Sequence, residues 1–528
     1  MVTSTLKITC EPVRPENMTI RLPDYLSTIA RAVVLILLFS AGSSPLRAQL
    51  DRYLVLVPSL VVDGPTTGDR SIGTTGFTSD GAVEFLSSAP KPMSTPESRE
   101  FAPVTSPDGA GGLYLLYTTE PSGAGPNANR DLVMRHVGSN GDDLWSDSGR
   151  VGLTIANSAQ REQNPRIVPL EDGSLTIVYE VSYLAEGSDD IDLAAVRVSS
   201  DGRMLWAQPV WIARTNWRER LAGAVANGQG GVMAIYQIST RKDSSVFSDI
   251  KAVRIDSSSA LGWKDSRDPV IVATSRHIES NPSVVSDRNG GAYISYEVEY
   301  TSGPRAGDVD ILAQHLTSYG TRLWTSESRL PFVSSIDKAR ERNPSIAFDD
   351  KGLVVAFQIY YYGVRKPFYL IGIQRLDTSG HGLWNKGKTA ETIDVPGRVV
   401  EAPQVIADPT GGVFLLFETK DTVASNRDVY VQKLDFGGVK MWGHQDWGIP
   451  IFNSSDVERD PAALPDGKGG IVVVGVREKL GADGSRTNEI IADRVAPDGN
   501  QPWKDLAPPI VLSISNNRGD RPLVVKSP

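Results

Sequence analysis

The phrase Ser200-Asp-Gly-Arg-Met-Leu-Trp206 decides the fold, because related phrases return along the chain at a nearly constant interval. Two of them are Thr378-Ser-Gly-His-Gly-Leu-Trp384 and Pro497-Asp-Gly-Asn-Gln-Pro-Trp503. Tryptophans at this place in the repeat are 57 to 61 residues apart: Trp145, Trp206, Trp263, Trp324, Trp384, Trp442 and Trp503. In a chain of 528 residues, such a period predicts a repeat architecture rather than several unrelated domains.

Each unit reads as four short strands separated by turns. The first strand follows a proline, as in Asn343-Pro-Ser-Ile-Ala347, and the second resembles Val413-Phe-Leu-Leu-Phe417. The third resembles Asp192-Leu-Ala-Ala-Val-Arg-Val198, and the fourth carries the tryptophan. Four short strands in about 60 residues, without a helical period, are typical of a β-propeller blade.

The number of blades depends on residues 50–97, which precede the first periodic tryptophan. Phe85 lies 60 residues before Trp145, in the place of a tryptophan, and Tyr53-Leu-Val-Leu-Val57 falls where second strands fall. The missing first strand of this unit matches Arg521-Pro-Leu-Val-Val525 at the other end of the sequence. We therefore expect an all-β propeller of eight four-stranded blades, closed by a C-terminal strand that completes the N-terminal blade. Seven blades with an N-terminal cap are the alternative.

The first 48 residues read as a signal peptide, with Met18 as an alternative start. Residues 32–42 are apolar, which is shorter than the ~20 residues of a membrane span, and they lie between Arg31 and a small-residue cleavage site ending at Ala48. We therefore expect residues 49–528 to form a single propeller domain that is secreted or periplasmic. The one cysteine, Cys10, would be removed with the signal peptide.

The amino-acid composition excludes some classes of binding partner. The formal net charge of −9 argues against a nucleic-acid groove, and no segment after residue 48 is apolar enough to span a membrane. The strong internal repeat predicts a monomer whose ligand is a protein or a glycan.

The Gly-x-x-x-Trp ending of the repeat, as in Gly202 to Trp206, resembles the tryptophan-docking motif of quinoprotein-like eight-bladed propellers. The turn that contains Asp201 resembles a loose sialidase-type Asp box. The resemblance covers nearly all of residues 49–528 and implies a blade architecture in which Phe85 and the seven periodic tryptophans pack between neighbouring blades. Enzymatic quinoproteins carry a vicinal disulfide at their cofactor, and the mature chain has no cysteine, so we predict no organic cofactor.

Seven glutamates recur at the start of the first strands: Glu100, Glu162, Glu219, Glu279, Glu341, Glu401 and Glu458. Glu401 stands one place later than the others relative to the proline. If these strands line the central channel, the glutamates form an acidic ring at its mouth. Together with the aspartates that open the third strands, they would suit a ligand-binding site for a cation such as calcium. The alternative is a repeated structural charge pair, because an arginine directly precedes four of the glutamates.

The loop Ile359-Tyr-Tyr-Tyr-Gly-Val-Arg-Lys-Pro367 is the most unusual connection between strands. Tyr360, Tyr361, Tyr362 and Arg365 could stack on a sugar or a peptide, or could pack against the next blade. No residue pattern singles out a catalytic residue. From the sequence we therefore expect an exported, non-catalytic propeller that binds a protein or glycan through its loop face. The alternative is a glycan-active hydrolase or lyase that uses carboxylates at the channel mouth.

Overall fold

The computed structural model describes residues 52–60, 71–78, 91–92 and most of 98–527. The gaps in the last range are 122–127, 140–141, 146–151, 185–189, 243–244, 264–265, 267, 325–331, 350, 363–367, 388, 423–425, 444–445, 482–483, 504–508 and 516–522. The predicted signal peptide, Phe85 and Arg365 therefore lie outside the described residues.

Within the described residues, the strands form eight antiparallel meanders of four strands each, which are called sheets 1 to 8 below. Sheets 3 to 6 are joined into one sixteen-stranded sheet by single parallel bridges, such as the one between Ile191 and Arg218. Sheet 1 contains β1 (Arg52–Leu60), β2 (Ser71–Thr78), β3 (Lys91–Pro92) and the C-terminal strand β32 (Leu523–Ser527). Sheet 2 contains β4 (Ser98–Pro107), β5 (Leu113–Pro121), β6 (Asp131–Val137) and β7 (Leu153–Ala156). Sheet 3 contains β8 (Arg161–Pro169), β9 (Leu175–Ser182), β10 (Ile191–Val198) and β11 (Val210–Ala213). Sheet 4 contains β12 (Arg218–Ala226), β13 (Val232–Lys242), β14 (Ser245–Ile255) and β15 (Val270–Ala273).

Sheets 5 to 8 repeat this order. Sheet 5 contains β16 (Ile278–Ser286), β17 (Ala292–Glu299), β18 (Val309–Leu316) and β19 (Phe332–Ser334). Sheet 6 contains β20 (Ala339–Asp349), β21 (Gly352–Tyr361), β22 (Phe368–Leu376) and β23 (Glu391–Ile393). Sheet 7 contains β24 (Arg398–Ala407), β25 (Val413–Asp421), β26 (Arg427–Leu434) and β27 (Ile449–Phe452). Sheet 8 contains β28 (Val457–Pro465), β29 (Ile471–Leu480), β30 (Arg486–Val495) and β31 (Ile510–Ser515).

The first strands of consecutive sheets contact one another around a closed circuit, from β4 through β8, β12, β16, β20, β24 and β28 to β32 and back to β4. Strand β32 takes the first place in sheet 1, where Leu54 of β1 pairs with Val525. The predicted all-β propeller is therefore confirmed, and its innermost strands are the proline-led first strands. The C-terminal strand completes the N-terminal sheet, so the first sheet is not left with an open inner edge.

The apolar core lies between adjacent sheets. Val354 and Ile373 of sheet 6, for example, share one buried cluster with Val413 and Phe417 of sheet 7. Second and third strands are buried almost throughout because both of their faces are covered by neighbouring sheets.

Six innermost strands contain a β-bulge at the residue before the proline. At this position the backbone has a positive φ between 48° and 57° in Ala102, Asn164, Asn281, Asn343, Ala402 and Asp460. The register of each strand shifts at the bulge, as between Arg342 and Ser345 of β20. The bulge breaks the strict alternation of side chains along the strand. It therefore decides which first-strand residues face the channel.

Candidate functional site

A polar cavity of about 620 Å³ lies among the innermost strands of sheets 5 to 8. Its walls include the bulges of β16, β20, β24 and β28 and the residues that follow them. The lining residues are Asn281, Asn343, Pro344, Gln358, Glu401, Ala402, Pro403, Gln404, Glu418, Arg427 and Asp460. The cavity thus brings three carboxylates and an arginine together inside the ring.

Two of these carboxylates break the repeat. Among the six positive-φ bulge residues, Asp460 alone is acidic, and the others are alanine or asparagine. At the position just before the bulge residue, Glu401 is likewise the one acid in those six strands. Their side chains are 39 % and 25 % exposed, so both are open to a ligand. Repeated residues maintain a repeated fold, whereas unique polar residues gathered in one cavity indicate a site.

The third carboxylate, Glu418, is buried at the end of β25. Its Oε1 accepts a hydrogen bond of 2.9 Å from the backbone N–H of Asp460, which ties sheet 7 to sheet 8. Its Oε2 accepts one of 2.9 Å from Nη1 of Arg427. Burial raises the pKa of Glu418, and the nearby charge of Asp460 raises it further, against the lowering effect of these two donors.

Two arginines neutralise the carboxylates. Nη1 of Arg427 lies 2.5 Å from Oε1 of Glu401 as well as 2.9 Å from Oε2 of Glu418. Arg459 contacts the carboxylate of Asp460. Each of the three acids therefore has a cationic neighbour, and Arg427 links two of them.

A second cavity, of about 450 Å³, adjoins the first at Asn281 and is basic. Arg166, Arg218 and Arg220 line it together with Gln237. Nη1 of Arg166 donates to Oδ1 of Asn164 at 2.8 Å, which fixes its guanidinium at the bulge of β8. The channel thus has an acidic side at sheets 7 and 8 and a basic side at sheets 3 and 4.

The predicted ring of glutamates faces a different direction. Glu100, Glu162, Glu219, Glu279, Glu341 and Glu458 are all at most 2 % exposed, and Glu401 alone lines the cavity. Most of the buried glutamates accept a hydrogen bond from a nearby serine or threonine hydroxyl. Examples are Thr215 to Glu219 at 2.5 Å and Ser334 to Glu341 at 2.7 Å. The structure therefore places these six glutamates between sheets rather than in the channel.

Each of five buried glutamates lies beside the aspartate that opens the third strand of the preceding sheet. The pairs are Asp131 with Glu162, Asp192 with Glu219, Asp249 with Glu279, Asp310 with Glu341, and Asp428 with Glu458. Burial, reinforced by the aspartate charge, raises the pKa of Glu219 and Glu458 to about 7 and that of Glu341 to about 8. Such a glutamate keeps its proton where an exposed one has lost it.

Two of the three predicted tyrosines stack on their own sheet, and the third reaches the neighbouring one. Tyr360 stacks on Tyr369 with a centroid distance of 4.8 Å, and Tyr361 stacks on Phe368 at 4.7 Å. The hydroxyl of Tyr362 donates to Asp308 of sheet 5. All three tyrosines remain partly exposed, so their role in binding a ligand stays a prediction.

The periodic tryptophans join neighbouring sheets at the opposite ends of the strands. Nε1 of Trp324 donates to the carbonyl oxygen of Thr378 in sheet 6 at 2.9 Å. Nε1 of Trp384 donates to that of Phe436 in sheet 7, also at 2.9 Å. Equivalent bonds reach the next sheet from Trp145, Trp206 and Trp442. Trp263 packs on Gly320, and Trp503 is 1 % exposed within sheet 8.

The grouping of Glu418, Arg427 and Asp460 in one cavity was not predicted from the sequence. An alignment of the units on their prolines contains the signal for Asp460, since Asp460-Pro461 stands where other units have Asn-Pro or Ala-Pro. Arg427 belongs to a third strand and Glu418 to a second strand, and only the folded ring shows that they meet at Asp460. Within the described part of the chain, no helix has the length and apolar character of a membrane span.

No protein-family profile and no curated protein sequence matches the chain. Similar solved structures include a levansucrase from B. megaterium, with 10 % identity over 56 % of this chain and 86 % of that chain and a TM-score of 0.31. An α-L-arabinofuranosidase from Fusarium graminearum has 11 % identity over 63 % and 92 %, with a TM-score of 0.33. An endo-arabinase from Bacteroides thetaiotaomicron has 12 % identity over 67 % and 95 %, with a TM-score of 0.27.

These comparisons correct one expectation from the sequence. The chain was expected to be a non-catalytic binding scaffold rather than an enzyme, and this is wrong on the comparison, because the similar structures are enzymes by name. Likeness at this level describes the fold alone. A specific activity has to be argued from the residues of the site.

Proposed function

We propose that the protein is a glycan-active hydrolase whose reaction takes place at the carboxylates of the 620 Å³ cavity. One observation carries this proposal. The two acids that break the repeat, Glu401 and Asp460, line the same cavity as Glu418, whose pKa is raised by burial. Carboxylates held in different environments are the arrangement that divides acid and base roles between two groups.

Hydrolysis of a glycosidic bond needs an acid that protonates the leaving oxygen and a carboxylate that activates water or attacks the sugar. Glu418 is the acid in this proposal, because its raised pKa lets it keep a proton at higher pH than an exposed glutamate. Asp460 is the base or nucleophile, because its carboxylate is open to the cavity. Arg427 holds Glu401 and Glu418 in place and presents N–H donors to sugar hydroxyls.

The neighbouring basic cavity supports an acidic glycan as the substrate. Arg166, Arg218 and Arg220 lie on its wall, and arginine is suited to carboxylate and sulfate groups because its N–H donors are arranged in a planar fork. A chain that crosses the channel would place acidic sugars on this wall and a glycosidic bond at Asp460. The partly exposed Tyr360 and Tyr361 would supply stacking surface further out.

The proposal also covers the location of the protein, its oligomeric state, its cofactors and its blade architecture. The predicted signal peptide supports a secreted or periplasmic location. The enzyme in this proposal is a monomer that uses no organic cofactor. The tryptophan bonds between sheets support a quinoprotein-like blade architecture.

The test is a screen of the purified protein against matched neutral and uronate-containing polysaccharides, followed by release of reducing ends. Asp460→Asn and Glu401→Gln are compared with Ala102→Asn, which changes the equivalent bulge residue of β4, outside both cavities. We expect cleavage of an acidic glycan, a loss of about 10²–10⁴-fold in kcat for Asp460→Asn, and near-parent activity for Ala102→Asn.

Two results would reject the hydrolase. One is an absence of cleavage across the whole panel, and the other is a folded Asp460→Asn variant with parental kcat. Products with an unsaturated end would instead identify a lyase at the same carboxylates.

A further inference from the structure

Two interfaces between sheets carry a third acid beside their buried aspartate and glutamate. Between sheets 5 and 6, Asp308 joins Asp310 and Glu341. Between sheets 3 and 4, Asp190 stands two residues before Asp192, as Asp308 stands before Asp310, and accompanies Glu219. The other described pairs have Asn129, Phe247 and Asn426 at this position. A third acid in such a buried place requires a source of positive charge.

Between sheets 5 and 6 the chain supplies that charge itself. Nη2 of Arg305 lies 2.5 Å from Oδ1 of Asp310, and its Nε lies 3.3 Å from Oδ2 of Asp308. The Arg305 charge also acts to lower the pKa of Glu341. The three acids therefore surround a cation, which here is a guanidinium.

Between sheets 3 and 4 the equivalent arginine is missing from the sequence. Arg305 stands three residues before Asp308, whereas Gly187 stands three residues before Asp190. Arg214 is a cation at this interface, and its Nε is 3.6 Å from Oδ2 of Asp192 while its side chain is 60 % exposed. This contact is longer and more exposed to solvent than the contacts of Arg305 with Asp308 and Asp310, so it offsets less of the negative charge of the buried acids.

The acid oxygens here are arranged for a ligand. One oxygen from each of Asp190, Asp192 and Glu219 lies within 4.8 Å of the other two. Tyr183 donates to Oδ2 of Asp192 at 2.5 Å, and Thr215 donates to Oε1 of Glu219 at 2.5 Å. Oδ1 of Asp192 and Oε2 of Glu219, on side chains that are 1 % and 0 % exposed, accept no hydrogen bond from a described residue. In Asp192 and in Glu219, one oxygen is held by a hydroxyl and the other has no described donor.

We propose that Asp190, Asp192 and Glu219 bind a divalent cation, and that calcium is the cation that fits. Calcium is bound by carboxylate oxygens in flexible geometry and completes its shell with water, which suits three acids at the edge of an interface. The bound cation would join sheets 3 and 4 as Arg305 joins sheets 5 and 6. This site is separate from the proposed catalytic cavity.

The test uses the purified protein with calcium alone, measured by calorimetric titration and by a thermal melt with calcium or EDTA. We expect one calcium per chain and a melting temperature that rises with calcium, because a ligand of the native state adds stability. Terbium luminescence adds a local readout, since Tyr183 is close enough to sensitise a bound lanthanide. Asp190→Asn, at a partly exposed position, should weaken calcium binding at least tenfold. Asp308→Asn is the matched control and should leave it unchanged.

Arg305→Ala supplies an independent test, because removal of the guanidinium should open a second site. We expect two calcium ions per chain in that variant. The proposal is overturned if the parent binds no calcium, or if Asp190→Asn binds it as tightly as the parent. A stoichiometry still at one in a folded Arg305→Ala would reject the equivalence of the two interfaces on which it rests.

Discussion

Two neighbouring interfaces of the ring differ in the side chains buried at equivalent positions, which are acidic in one and apolar in the other. Between sheets 5 and 6, Asp310 and Glu341 are both fully buried. Between sheets 6 and 7, Leu370 holds the position of Asp310, and the fully buried Val400 holds the position of Glu341. In these two interfaces the acids are present together or absent together. This indicates that the pair belongs to the interface and not to a ring of ligand-binding groups.

The same comparison explains why Glu401 lies in the 620 Å³ cavity. Where valine takes the buried position in β24, the glutamate moves one residue along the strand, to position 401. A shift of one residue turns a side chain to the other face of a strand. Glu401 therefore lines the channel with Asp460, whereas Glu341 lies between sheets.

The largest expected effect is one that the two interfaces share. Trp324 and Trp384 are 4 % and 2 % exposed and bond to the next sheet with the same geometry. Trp324→Ala and Trp384→Ala should each lower the free energy of unfolding by about 3–5 kcal/mol. Denaturant melts of both variants measure this, and a large difference between them would show that the interfaces differ beyond their acids.

An intermediate effect is expected from placing an acid in the apolar interface. Val400→Glu buries a carboxyl group where Leu370 offers no hydrogen bond, so it should destabilise the protein by about 1–3 kcal/mol. Val400→Thr, which changes shape little, serves as the control. Adding Leu370→Asp to Val400→Glu should recover part of the loss at low pH, and no recovery would argue against a stabilising contact between a protonated glutamate and the aspartate in the natural pairs.

A smaller effect, dependent on pH, is expected from the acidic interface. The pKa of Glu341 is raised from 4.5 to about 8, so the unfolded chain loses this proton at lower pH than the folded chain. The stability that Glu341 contributes is therefore present below about pH 4.5 and is lost as the pH rises toward 8. Asp310, Arg305 and Ser334 surround this carboxyl group.

Glu341→Gln isolates that effect, because the amide oxygen still accepts from Ser334 and carries no charge. The variant should match the parent near pH 5 and exceed it at pH 8 by ~1 kcal/mol or more, since one pKa unit corresponds to about 1.4 kcal/mol. Thermal melts at the two pH values measure this. Val400→Ala should shift stability equally at both, and a parallel shift for Glu341→Gln would mean that Glu341 is ionised in the folded protein.

The strand order could be predicted from the sequence because the signals for it are local. A periodic tryptophan, a proline in most first strands and a glycine-containing turn after the first strand mark the four strands without reference to the rest of the chain. The fourth strand itself was misplaced, because it follows the tryptophan and does not carry it, as β11 follows Trp206. The C-terminal strand was predicted in the same way, since residues 521–525 supply the missing piece of the first unit.

The direction of the glutamates could not be predicted, because it depends on the bulge at residues such as Asn343. The bulge changes the alternation of side chains, and a pattern with period two read from the sequence does not contain it. The meeting of Glu418, Arg427 and Asp460 depends on which sheets are adjacent across the ring. Asp190 was missed because its significance rests on a comparison with Arg305, 115 residues further along the chain.

The tryptophan bonds give the ring a direction. Five sheets donate an indole N–H forward to a carbonyl group of the following sheet, and none of these five bonds runs backward. A segment cut at equivalent points in two units therefore carries one donor for the next unit and one acceptor for the previous unit. Duplicating or deleting such a segment preserves these bonds wherever in the unit the equivalent cuts fall, whereas cuts at non-equivalent points can separate an indole from its acceptor. One repeat of about 60 residues is thus the length of chain that can be added or removed without the loss of these bonds.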